Sequence, residues 1–142
     1  MRYLSILTLL LSSFLSSIAA QSENIYLGQG ILAGEITNSK AILQARLTAD
    51  TKLTNWELAG ASGWGRFEYS EYPNFKDSTF TSWEKASPKR DFILKAFLDD
   101  LNSNTIYHYR IHYGIKRDNT KASHAASFRT HPGKDLSAPL SL

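Results

Sequence analysis

The chain has 142 residues, of which 42% are hydrophobic, 12% aromatic and 20% charged, with no cysteine and a formal charge of +3. That composition suits one globular domain and excludes disulfide scaffolds, cysteine-ligated metal sites, thiol nucleophiles and low-complexity linkers. Lys and Arg are scattered among acids, without the basic stripe that neutralises phosphates, so no nucleic-acid partner is expected.

Met1 and Arg2 precede the apolar run Tyr3 to Leu15, and small residues follow at Ser16, Ser17, Ala19 and Ala20. This is the layout of a signal peptide spanning 1–20. Four hydroxyl residues interrupt the run, and a membrane span needs about 20 continuous apolar residues, so export to the bacterial periplasm or medium is expected, without a stable membrane anchor after cleavage.

Beyond it, a globular unit is expected over 24–132. Residues 24–35 carry Gly28, Gly30 and Gly34 and suggest a bulged edge strand. A turn is expected at Thr37-Asn38-Ser39. Residues 40–48 alternate, but both faces are partly apolar, so the buried face stays open between Ala41/Leu43/Ala45/Leu47 and Ile42/Gln44/Arg46. Residues 55–58 and 64–69 are strand candidates separated by Gly60-Ala61-Ser62-Gly63, which reads as a turn. Residues 70–90, with Pro73 and Pro88, are expected as a long irregular loop.

Phe92, Leu94, Ala96 and Leu98 recur at period two between charged pairs, the pattern of a half-buried strand. Tyr107, Tyr109, Ile111 and Tyr113 predict a second, its other face carrying Ile106, His108, Arg110 and His112. Residues 116–121 are expected as a hairpin loop and 122–130 as one final strand. About seven strands and no sustained helical period predict an all-β, two-sheet sandwich of the immunoglobulin or fibronectin type III kind.

Leu101-Asn102-Ser103-Asn104-Thr105-Ile106-Tyr107 is similar to the tyrosine corner of fibronectin type III domains, with Ser103 where those domains place proline. Leu101, Thr105 and Tyr107 are therefore expected to form a structural corner in which the phenol bonds nearby backbone. Over a longer stretch, Gly30, Gly34, Thr37, Leu43, Arg46 and Leu47 match the opening of the N-terminal domain of the alkaline phosphatase D family, also described as phospholipase D-like. Glu35, Ile36 and Gln44 stand where that family has Asp, Pro and Trp. Tyr107-His108-Tyr109-Arg110 and Phe128-Arg129-Thr130-His131-Pro132 resemble its later motifs, so the resemblance covers about 28–132.

In that family the sandwich precedes a metal-dependent phosphoesterase domain with two divalent cations. The resemblance implies a non-catalytic accessory domain, no cofactor in this chain, and a catalytic partner domain in cis or trans. The family's Asp-x-His, Gly-Asp-x-x-Asp and Gly-Asn-His motifs are missing from the sequence. Residues 133–142 read as a linker toward an absent catalytic domain, and the chain as a truncated product.

Three features admit other chemistry. His108, Arg110 and His112 share a strand face that suits an interdomain surface or an anion contact. The two histidine backbones would stand about 13 Å apart, too far to chelate one ion unaided. Asp99-Asp100 is expected to be a turn, and His124 and His131 to be exposed. The aromatic residues Trp56, Trp64, Trp83, Tyr69 and Tyr72, with Trp64 and Trp83 foremost, offer an aromatic platform for a glycan, which makes a free-standing binding module for glycan or a protein partner the competing reading.

Overall fold

The computed structural model describes residues 24–133; the expected signal peptide and nearly all of the expected linker lie outside them. Nine strands occur among the described residues: β1 Ile31–Gly34, β2 Ala41–Arg46, β3 Gly63–Ser70, β4 Thr79–Phe80, β5 Glu84–Ala86, β6 Ile93–Leu98, β7 Ile106–Lys116, β8 Asn119–Ala122 and β9 Ala126–Arg129. They form an antiparallel three-stranded sheet, β1-β2-β6, and a six-stranded sheet in which β3 and β7 are central. β4 and β5 follow one another along the outer edge of β3, and β8 and β9 do the same along β7.

The two sheets enclose one core. Ala41, Leu43 and Ala45 of β2, continued by Leu47, meet Leu94, Ala96 and Leu98 of β6, and oppose Phe67 of β3 and Tyr107, Tyr109, Ile111 and Tyr113 of β7. The odd face of β2 is thus the buried one, because its outer alternative includes Arg46, whose guanidinium has polar partners outside the core. Its Nη1 donates to the Leu58 carbonyl and its Nε to the Asp91 carbonyl. Full burial of each such Leu or Phe side chain is worth about 1.5–3 kcal/mol. Among the described residues no helix is long and apolar enough to cross a membrane.

Five expectations are corrected. Residues 55–58 are no strand: Thr54 and Glu57 exchange backbone hydrogen bonds of 2.8 and 3.0 Å around Asn55 and Trp56, both at positive φ, which makes a tight hairpin. Gly60 to Gly63 are not a turn but an extended crossing between the sheets, pinned by the Thr48–Gly60 bridge and by the Ala61 amide on the Leu47 carbonyl. The glycines are needed there for close approach. The excursion after residue 70 contains β4, β5 and a 3₁₀ turn at Pro88–Arg90.

The expected single strand over 122–130 is divided into the end of β8 and β9. At Ser123 the side-chain hydroxyl, at 3.1 Å, accepts from the Ile111 amide and so replaces a ladder carbonyl. The expected six-residue loop over 116–121 contracts accordingly, since Lys116 pairs directly with Asn119.

β2, β6 and β7 also fix the two ends of the sandwich. One end holds Ser39, Leu101, Thr105 and His131, joined by backbone hydrogen bonds through Thr37 and Thr130. The other holds Leu47, Gly63 and Gly114, with Ile25 inserted against them.

Candidate functional site

Strand alternation sends Trp64, Arg66 and Glu68 of β3 to the outer face of the larger sheet, together with His108, Arg110 and His112 of β7. The register sets Glu68 opposite Arg110 and Arg66 opposite His112. Glu68 is nevertheless only 4% exposed. Its Oε2 accepts from Arg110 Nε at 2.6 Å and lies 2.7 Å from His112 Nε2, and its Oε1 accepts from the Ser78 hydroxyl at 2.7 Å.

A carboxylate on an outward face is buried because the excursion between β3 and β5 folds back over it. The Phe75 ring lies 4.0 Å from the Arg110 guanidinium, and Phe80 lies 5.3 Å from the His112 ring. Arg66 is held between Phe80 at 4.1 Å and Trp83 at 4.7 Å. Its buried Nε has no hydrogen-bond partner, so ring faces provide much of its surroundings.

Burial alone would raise the Glu68 pKa. Hydrogen bonds from Arg110, His112 and Ser78, with the Arg110 charge, outweigh it and lower the pKa from 4.5 to about 2.

The structure therefore brings Arg110 and His112 together on Glu68 and leaves His108 apart, opposite Ser70. Glu68 was not legible as a site residue, because its partners lie 42 and 44 positions away and only strand register joins them. The guanidinium of Arg110 already occupies the position beside Glu68 where a metal ion would sit. Among the described residues no group of His, Cys, Asp and Glu is arranged to hold one, so these residues do not fit the divalent ions of a phosphoesterase centre.

Trp64 and Trp83 do not form a free platform. Trp64 is covered by the Arg117 guanidinium at 3.8 Å, with Lys85 Nζ at 5.8 Å, and Trp83 is taken up by Arg66. Trp56 is 94% exposed, at the tip of the 54–57 hairpin.

At the Leu101 end, the Tyr107 ring is 5% exposed and stacks on Phe128 with centroids 5.6 Å apart. Its hydroxyl accepts from the Asn102 amide at 2.9 Å and donates to Glu71 Oε1 at 3.2 Å. Burial, reinforced by Glu71, pushes the phenol pKa up, against the opposing effect of the Asn102 N–H. Leu101 is buried beside it. Thr130 Oγ1 donates to the Asn102 carbonyl at 2.6 Å and accepts from the Thr105 amide at 2.9 Å, while Thr105 Oγ1 donates to the Ser103 carbonyl. The Ser103 segment is thus held by hydroxyls at the place where related corners carry proline. The hydroxyls of Tyr107, Thr105 and Thr130 are all engaged within the protein, an arrangement that fixes a turn.

A family model described as the N-terminal domain of PhoD-like phosphatases matches residues 13–132. Among solved structures, one described as PhoD is similar at 19% identity with a TM-score of 0.62, covering 80% of this chain. The chain spans about a fifth of that structure's length, 20%. The sensor domain of the anti-sigma factor RsgI4 of Pseudobacteroides cellulosolvens is similar at 18% identity with a TM-score of 0.53, over 80% of this chain and 99% of that one. At these identities the two likenesses show a shared fold. No curated protein matches the sequence at a significant level.

Proposed function

The chain belongs to the family of PhoD-like phosphatase N-terminal domains, and from that premise we propose that it is a non-catalytic accessory domain that braces a phosphoesterase catalytic domain supplied in cis or in trans. In this reading residues 1–20 direct export, the working compartment is the periplasm or the medium, and divalent metals belong to the partner domain alone. The domain would stand at the front of such an enzyme, as the family's description says.

The observation that carries the reading is the fate of the polar strand face. Arg110 and His112, the residues best suited to contact a phosphoryl group, are spent on Glu68 beneath Phe75 and Phe80. A scaffold role uses such a network for rigidity, whereas phosphoryl transfer needs cations directed into an open cleft.

The test is an assay of the purified chain with chromogenic phosphomonoesters and phosphodiesters in the presence of manganese, calcium, magnesium, iron or zinc. No turnover above the metal blank is expected. Metal-dependent hydrolysis that follows the protein through purification overturns the proposal.

A further inference from the structure

At the Leu47–Gly114 end of the sandwich a depression of about 440 Å³ opens between Ile25 and the β7–β8 hairpin, which lines it with Tyr113, Lys116, Thr120 and Lys121. Gly114 lets the hairpin close, since a Cβ there would collide with the Asn119 carbonyl. Register sets Lys121 directly opposite Tyr113, so both side chains project to the same side of the sheet. β8 is an edge strand, and Lys121 stays exposed. Its ammonium lies 5.0 Å from the centre of the Tyr26 ring and 5.2 Å from that of Tyr113. Two ring faces thus attract the charge without neutralising it.

Tyr113 is only 8% exposed, and its hydroxyl has no hydrogen-bond partner among the described residues. Among those residues only Arg66 Nε is a fully buried side-chain polar atom without a partner. The Tyr113 hydroxyl therefore reaches water, and it does so where Tyr113 borders the depression. Burial pushes the phenol pKa up, which keeps the hydroxyl a donor at neutral pH.

Charge at this place has one sign. Neither Lys116 nor Lys121 has an acidic partner among the described residues, and the lining contains no acid. Asp118, at the tip of the same turn, is exposed and lies outside the lining, while Arg117 is turned onto Trp64. Two other surface depressions are each bordered by several acids.

We propose that this depression binds the phosphoryl group of a small ligand, with Lys116 and Lys121 supplying charge and the Tyr113 hydroxyl a directed hydrogen bond. Two lysines and one neutral donor match a dianion better than a singly charged carboxylate. The volume is more than one phosphate ion fills and falls in the range of pockets that take small organic molecules. An organic phosphomonoester is therefore the fuller fit, with Thr120 and the Tyr113 ring edge beside its remainder.

The test is a proton–nitrogen NMR titration of the purified chain with inorganic phosphate, with glycerol phosphate, and with sodium chloride at matched ionic strength, at about pH 8, where the phosphoryl group is doubly charged. Saturable shifts of the Gly114, Lys116 and Lys121 amides are expected with both phosphates and not with chloride. Tyr113→Phe, which keeps the buried ring, is expected to weaken binding roughly tenfold, as loss of a hydrogen bond to a charged group does. Lys121→Gln is expected to weaken it by a similar factor, with the spectrum away from the depression unchanged. Tighter binding of glycerol phosphate assigns the site to an organic ester, and equal binding assigns it to the free ion. Shifts that chloride reproduces, shifts that do not saturate, or an unchanged affinity in Tyr113→Phe overturn the proposal. Because no turnover is read, its failure leaves the bracing role untouched.

Discussion

Gly60 lies against the ring of Phe92, so that a Cβ on Gly60 would stand 1.9 Å from the Phe92 Cδ2. The contact fastens the crossing between the sheets to the residue just before β6. Gly60→Ala is expected to destabilise the domain by about 2–3 kcal/mol, as overpacking of a closed site does. Phe92→Ala should be costly in its own right through lost burial, yet the double variant should lose much less than the two single effects together. Urea midpoints of the four proteins measure this; strict additivity would mean that the ring moves aside without resistance.

Tyr107→Phe removes the acceptor for the Asn102 amide and the donor to Glu71 while leaving the stack on Phe128. A loss of about 1–2 kcal/mol is expected, the cost of leaving a part-buried backbone N–H without its partner. Chemical denaturation with an unchanged slope checks it. An unaffected midpoint would mean that water replaces the hydroxyl at no cost.

The Glu68 network predicts an acid-sensitive limb of stability. The folded carboxyl has its pKa lowered from 4.5 to about 2, so its contribution is fully present above pH 4.5 and is lost as the pH falls through about 2. The shift corresponds to roughly 3 kcal/mol. Urea midpoints between pH 5 and 2 should fall along this limb in the wild type. In Glu68→Gln the limb should flatten, and stability at pH 7 should drop by about 3 kcal/mol, since Arg110 loses its charged partner.

Trp56→Gly is expected to raise stability by about 1 kcal/mol, because glycine adopts the left-handed conformation without the Cβ clash that Trp56 bears. A higher melting temperature by circular dichroism is the readout. A lower one would mean that the indole makes a stabilising contact despite its exposure.

β6 and β7 were legible because each buries one face and leaves the other polar or aromatic, which period two records directly. β2 was ambiguous for the opposite reason: Ile42 is apolar yet lies on the outer face, paired with the exposed Phe97. Residues 55–58 mix apolar and polar types as a strand would, and no local signal announces Asn55 and Trp56 at positive φ. The break at Ser123 was hidden because a serine can occupy a strand or interrupt it, according to whether its hydroxyl captures a neighbouring amide. For the site, the aromatic and basic residue types were visible, but their pairing depends on register and on the path of residues 71–83 across the sheet. Arg66 and Arg117 lie over Trp83 and Trp64, whereas Arg110 is taken up by Glu68.

The unequal sharing of β7 bears on how the chain reaches this structure. The stretch from Ile106 to Tyr109 obtains its second neighbour from β9, the last strand in the described sequence. During synthesis those residues stand with an unsatisfied backbone edge until position 129 has left the ribosome. Closure then depends on segments that are distant in sequence, which favours milliseconds to seconds over microseconds. A nascent chain halted before that point would expose a tyrosine-rich edge open to pairing with other chains.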